Sequence, residues 1–159
     1  MMCDLPTPPV IRPADFDDPA TRDLLALHLS GMHANTPSAY VFALDLNGLQ
    51  APDMAVWTAW FGDTIAGVGA LRTLATDAGE IKSMRTHPDC LRRGVGRALL
   101  AHIVTAAQDK GMTRLSLETG RGAAFEPAIA LYRRFGFVEG APFGGYEAGP
   151  FSRFFHRTM

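Results

Sequence analysis

The chain has 159 residues, 47% of them hydrophobic and 19% charged, with a formal net charge of −1 at pH 7. That size and balance suit one globular domain with a sizeable core and exclude the basic excess of a nucleic-acid binder. Two cysteines, Cys3 and Cys90, lack the paired spacing of a zinc site, so no metal is expected. No apolar run is long enough to span a bilayer, and the opening residues lack the basic and apolar regions of a signal peptide. A reduced, cytoplasmic protein without a membrane partner is the expectation.

Residues 1–9, with Pro6-Thr7-Pro8-Pro9, read as a disordered tail, and residues 10–159 as a single domain. Val10 to Pro13 suits a short edge strand, where proline is tolerated. Asp17, Asp18 and Pro19 then open a helix whose leucines at 24, 25, 27 and 29 form an apolar face that weakens at Gly31. Ser38 is a candidate cap for a second short helix through Leu46, ended by Asn47-Gly48. Met54–Phe61 and Ile65–Leu74, joined by Gly62-Asp63, have the valine, threonine and tryptophan content of a hairpin. Glu80–Thr86 reads as a third antiparallel strand. A helix opening at Val95 carries Leu99, Ile103 and Ala107 on one stripe and stops at Lys110-Gly111. Leu115–Glu118 alternates like a strand, Ala128–Phe135 is helical, and Phe137-Val138 and Ser152–Arg157 complete the strands.

The most informative segment is Leu91-Arg92-Arg93-Gly94-Val95-Gly96-Arg97-Ala98. It places three arginines at a helix N-terminus, where the partial positive charge and unpaired N–H groups make cations unfavourable unless an anion binds. Two glycines there allow a ligand to lie against the backbone, and phosphate fits both requirements. A dinucleotide-binding turn would use the same glycines, with Glu118 at the end of the next strand, but Leu99 stands at the third glycine position. A nucleotide-hydrolase phosphate loop fails because no Gly-Lys-Ser or Gly-Lys-Thr follows.

The order of strand, Pro88, Arg92-Arg93-Gly94-Val95-Gly96, amphipathic helix, strand, Ala128-Ile129-Ala130-Leu131-Tyr132 and Gly136-Phe137 resembles the GNAT superfamily of acyl-CoA N-acyltransferases. The runs Ile81–Thr86, Leu115–Gly120 and Pro142-Phe143 are similar to a bacterial branch labelled YsnE-like. The resemblance implies an α/β fold: a mixed, mostly antiparallel twisted sheet flanked by helices, with a splayed central strand pair. It implies an acetyl-CoA-dependent N-acetyltransferase that moves an acetyl group to a primary amine by direct attack in a ternary complex. The acceptor would be a small-molecule or protein amine, and homodimers are common in the family. A non-catalytic acyl-CoA-binding regulatory module is the alternative.

The resemblance also distributes roles. The coenzyme would be held by the turn Arg92, Arg93, Gly94, Val95, Gly96, Arg97 and Ala98, and by amides and carbonyls of Met84, Arg85 and Thr86 along the splayed strand. Leu91 stands where the family has Gln or Arg, and Phe125 where many relatives have Asn, so both side-chain contacts are lost. An amine of pKa about 10.4 is mostly protonated at neutral pH, so a base is needed. The resemblance gives that role to Glu80, which lies as far before Leu91 as the catalytic glutamate does in histone-type members of the family; its competing role is an ion pair with Lys82, two residues on and on the same face. Tyr132 matches the family's general acid for the departing thiolate, and the N–H of Met84 or its neighbour would stabilise an oxyanion. His33, Thr36, Tyr40 and Glu118 are acceptor-site candidates, with Phe143, Tyr146 and Phe151 as walls and Gly144-Gly145 supplying mobility.

Overall fold

In the computed structural model, residues 7–42 and 44–159 are described. Most of the expected tail lies outside them, as does residue 43 within the expected second helix.

Seven strands form one sheet in the order β1-β2-β3-β4-β5-β7-β6. β1 (Val10–Pro13), β2 (Met54–Phe61), β3 (Thr64–Ala75) and β4 (Ala78–Thr86) pair antiparallel in succession. β5 (Arg114–Thr119) joins β4 in parallel, and β7 (Arg153–Thr158) lies antiparallel between β5 and β6 (Val138–Gly140). The two-residue period of β3 assigns the faces. Val68 and Ala70 pack with Leu24 and Leu25 of α1 (Pro19–Asn35) and Leu49 of α2 (Leu46–Leu49). Leu71 packs with Leu100 and Ile103 of α3 (Val95–Asp109) and with Ile129 and Tyr132 of α4 (Glu126–Arg134). The sheet is therefore sandwiched, α1 and α2 on one face, α3 and α4 on the other.

The splay sits at its centre. β4 meets β5 only where Ala78–Glu80 face Arg114–Ser116, and beyond that point the strands have no mutual pairing. A bulge bends β4 at this place: the β3–β4 register shifts between Val68 and Ala70, and Ser83 adopts a left-handed φ of 56°.

The region between α1 and β2 differs from the expectation. α1 runs through Gly31 to Asn35, and Ser38–Tyr40 make only a single 3₁₀ turn. α2 spans only Leu46–Leu49 and ends four residues before β2; Asp45 caps it by accepting the Gly48 N–H at 2.8 Å, which makes Asn47-Gly48 part of the helix rather than its end.

Candidate active site

The loop leading into α3 is anchored before it turns. Cys90 is buried against Val95 and Leu99, its N–H bonds the His87 carbonyl at 2.9 Å, and His87 Nδ1 accepts the Asp89 N–H at 3.1 Å. Arg92 (φ 62°) and Gly94 (φ 77°) then both take left-handed conformations, which swing the chain into the helix. A Cβ at Gly94 would meet nothing, so the backbone angle alone favours glycine there. The first intrahelical bond runs from Ala98 N–H to the Gly94 carbonyl at 3.0 Å. The N–H groups of Val95, Gly96 and Arg97 precede it and remain available. They face a groove of about 870 Å³ between Thr86 and Leu91 on one side and Pro127, Leu131 and Arg134 of α4 on the other. Arg92, Arg97 and Arg134 line this groove, and among the described residues none of the three is ion-paired. Free amides and unpaired guanidinium groups fit a diphosphate.

Two members of the expected phosphate turn are engaged elsewhere. Arg93 stacks on Phe61 of β2, its guanidinium 3.9 Å from the ring centroid, and is drawn off the groove by that cation–π contact. Ala98 has its N–H committed to Gly94, so its amide has no capacity for a ligand. Arg134 was not among the sequence candidates; its signal was a cation in the last turn of a helix, which ordinarily serves that helix alone.

The groove continues into the splay as a cavity of about 340 Å³ lined by Met84, Thr86, Leu99, Phe125, Ala128 and Tyr132. The His87 N–H bonds Ala66 at 2.7 Å, and Arg85 sits opposite Val68 in the same register. Backbone groups alternate direction along an antiparallel ladder, so those of Arg85 are turned to β3 and those of Thr86 toward the open side. Thr86 therefore keeps the expected free edge, whereas the Arg85 peptide is occupied. The Arg85 side chain lies on the opposite face, where Nε donates to His28 Nδ1 at 3.0 Å and Nη2 to the His28 carbonyl at 3.4 Å. Tyr132 is buried at the inner end, its ring edge-on to Phe137 at 5.9 Å, and its hydroxyl makes no hydrogen bond among the described residues. Burial pushes its phenol well above the ordinary range.

Past Met84 the cleft reaches Glu80, Lys82, Ser83, Glu118 and Phe42. Glu80 is almost fully buried and makes the expected ion pair. Its Oε2 accepts from Lys82 Nζ at 3.3 Å, and it lines the same cavity as Tyr132. A third partner was invisible in the pairing logic: Tyr146, on the loop before β7, donates its hydroxyl to Glu80 Oε2 at 2.5 Å and accepts from Lys82 Nζ at 2.9 Å. Burial and the Glu80 carboxylate push the Tyr146 phenol far up, so it stays a donor. Glu118 also lines the cavity, and burial raises its carboxyl above the usual range. The Ser83 hydroxyl, presented by the bulge, is buried without a partner.

The remaining acceptor-site candidates lie elsewhere. His33 is exposed on the last turn of α1, Thr36 is buried at its C-cap with its hydroxyl unpartnered, and Tyr40 packs on Phe151 at 5.8 Å. They miss the cleft because α1 continues one turn past Gly31 and carries them beyond it. The residues that α1 and its following segment do present to the cleft are His28, Met32 and Phe42. Phe143 and Tyr146 wall its outer end beside Gly144 and Gly145, while Phe151 packs on Phe125 instead.

Residues 20–137 match the model of the Acetyltransferase (GNAT) family. The chain belongs to that family. It is 44% identical over 149 residues to the uncharacterized N-acetyltransferase YedL of Escherichia coli (strain K12), covering 94% of each. It is also 44% identical over 147 residues to the uncharacterized N-acetyltransferase YsnE of Bacillus subtilis (strain 168), covering 91% of this chain and 97% of that one. These identities agree with the YsnE-like branch and make the chain an acetyl-CoA-dependent N-acetyltransferase. A GNAT acetyltransferase of Elizabethkingia anophelis, crystallised with acetyl-CoA bound, has the same fold at a TM-score of 0.69 and 20% identity, covering 95% of this chain and 98% of that one. Among the described residues no helix is long and apolar enough to cross a membrane.

Proposed function

We propose that this enzyme transfers an acetyl group to a primary amine by direct attack, with coenzyme and acceptor meeting where β4 and β5 part. The observation that carries the reading is the single cavity shared by Glu80, Glu118 and Tyr132, continuous through Met84 with the groove at the start of α3. Acetyl-CoA, once bound, supplies an acyl group already activated as a thioester.

The chain's residues divide the remaining work. The Val95, Gly96 and Arg97 amides, with Arg92, Arg97 and Arg134, hold the diphosphate, and Thr86 offers its free edge to the pantetheine arm. Glu80 takes the proton of the attacking amine, directly or through a water, while Lys82 and Tyr146 fix its carboxylate in one orientation. The Met84 N–H, beyond the bulge, polarises the acyl carbonyl. Tyr132 keeps its proton because of its burial, and full transfer to a thiolate of pKa about 8.5 would run uphill. Its role is accordingly a hydrogen bond donated to sulfur as charge develops there.

Release of free thiol from acetyl-CoA, followed with and without added amine, tests this directly. Amine-dependent release is expected, and Tyr132→Phe should lower kcat by about 100-fold while moving the coenzyme Kd by less than about threefold. An unchanged kcat would remove Tyr132 from the chemistry, and amine-independent binding without release would make the protein a sensor.

A further inference from the structure

Among the described residues β3 and β4 present three cations to the α1 side of the cleft, and two of them have a carboxylate. Glu80, Lys82 and Arg85 share a face of β4, standing opposite Arg72, Ala70 and Val68 of β3. Lys82 pairs with Glu80 at 3.3 Å and Arg72 with Asp53 at 2.9 Å. Among the described residues Arg85 has no carboxylate within ion-pair distance; its only partners are the ring nitrogen and carbonyl of His28. Burial, reinforced by Arg85 itself, holds His28 near a pKa of about 4, so the imidazole is a neutral acceptor and not a counter-ion. The guanidinium is half-buried, in a cavity otherwise lined largely by apolar groups and shared with Met84 and Tyr132.

The fold also makes room for this charge. A Cβ at Gly31, inside α1, would lie 2.7 Å from Arg85 Nη2. Glycine within a helix costs about 1 kcal/mol relative to alanine, and desolvating an unpaired cation costs more. Both penalties fall on one spot beside the proposed reaction centre. The desolvation penalty is offset when an anion docks against the outer N–H groups of Arg85, whose planar fork suits a carboxylate.

We propose that Arg85 reads a carboxylate on the amine acceptor, so that the substrate class is amino acids or similar amino-carboxylates rather than simple amines. The proposal rests on the N-acetyltransferase reading above. Its occupant is the acceptor and not the coenzyme, because the coenzyme's anion groove has its own arginines at the start of α3, whereas Arg85 projects to the α1 face.

The test compares each common amino acid with its decarboxylated amine, for example L-phenylalanine with 2-phenylethylamine, by thiol release from acetyl-CoA. The wild type should favour carboxylate-bearing members, and Arg85→Gln should lower their kcat/KM by about 10- to 100-fold and bring the two classes close to parity. Calorimetric titration of coenzyme A should give a Kd within about threefold of the wild type, and the melting temperature should not fall, since an uncompensated charge has been removed. Equal or better use of the decarboxylated amines would overturn the proposal. So would a loss centred on coenzyme affinity, or a drop in melting temperature of about 5 °C with equal losses on both classes, which would make Arg85 a brace between β4 and α1. Absence of thiol release with every amine would instead sink the N-acetyltransferase reading itself, and this proposal with it.

Discussion

At the scale of single residues, Glu80 is the side chain on which a structural and a chemical account converge. The i, i+2 spacing made its pairing with Lys82 legible in the sequence, because alternate residues of a strand share a face. Tyr146 was not legible as the third member: it lies 66 residues away on a loop, and no periodicity carries that contact. The two accounts separate by mutation. Glu80→Gln leaves Lys82 buried without its counter-charge, which should cost about 3 kcal/mol of stability as well as about 100-fold in kcat. Adding Lys82→Met removes the stranded charge, so the double variant should regain melting temperature but not turnover. A double variant with near-native kcat would assign Glu80 to the ion pair alone.

At the scale of elements, the approach of α3 to β3 sets where the free amides point. A Cβ at Gly67 would come within 2.6 Å of Val95 Cγ1 and 3.0 Å of Leu99 Cδ1, so the first turn of α3 rests directly on β3 backbone. Gly67→Ala should lower stability by about 1–3 kcal/mol and weaken coenzyme A binding by pushing that turn outward. Urea unfolding and calorimetry on the same variant check both parts, and unaltered binding at reduced stability would show that the turn is positioned from elsewhere. α3 and α4 were readable from their helical period, and β2 and β3 from their valine, threonine and tryptophan content on either side of the Gly62-Asp63 turn, although β3 is buried on both faces and shows no alternation. The β4 bulge was not, since a serine at φ 56° leaves no mark in composition. The acceptor-side residues were misplaced for a related reason: the apolar pattern weakens at Gly31 and His33–Ser38 reads as a break, yet α1 continues to Asn35 with Arg85 filling the space beside Gly31.

At the scale of the whole molecule, the same packing links stability to pH. Burial and the neighbouring Arg85 hold His28 at about 4, below its ordinary 6.5, so over that window the folded chain binds fewer protons than the unfolded one. Stability from this source is complete above pH 6.5 and is lost as pH falls toward 4, by at most about 3 kcal/mol. Glu118, whose carboxyl is raised by burial, contributes with the opposite sign, its share being present below 4.5 and lost as pH rises through its folded value. His28→Gln keeps an acceptor for Arg85 but does not titrate, so its melting temperature should decline less steeply between pH 6.5 and 4 than that of the wild type. Parallel declines would mean that His28 is not the group responsible.

The central claim is that the coenzyme's diphosphate rests on the amide turn that opens α3. Calorimetric titration of coenzyme A into the wild type and into Gly94→Trp, at low ionic strength, measures it most directly. The account predicts binding by the wild type and at least about tenfold weaker binding by a folded variant whose indole occupies the groove. Equal affinities, or no heat from the wild type, would contradict it.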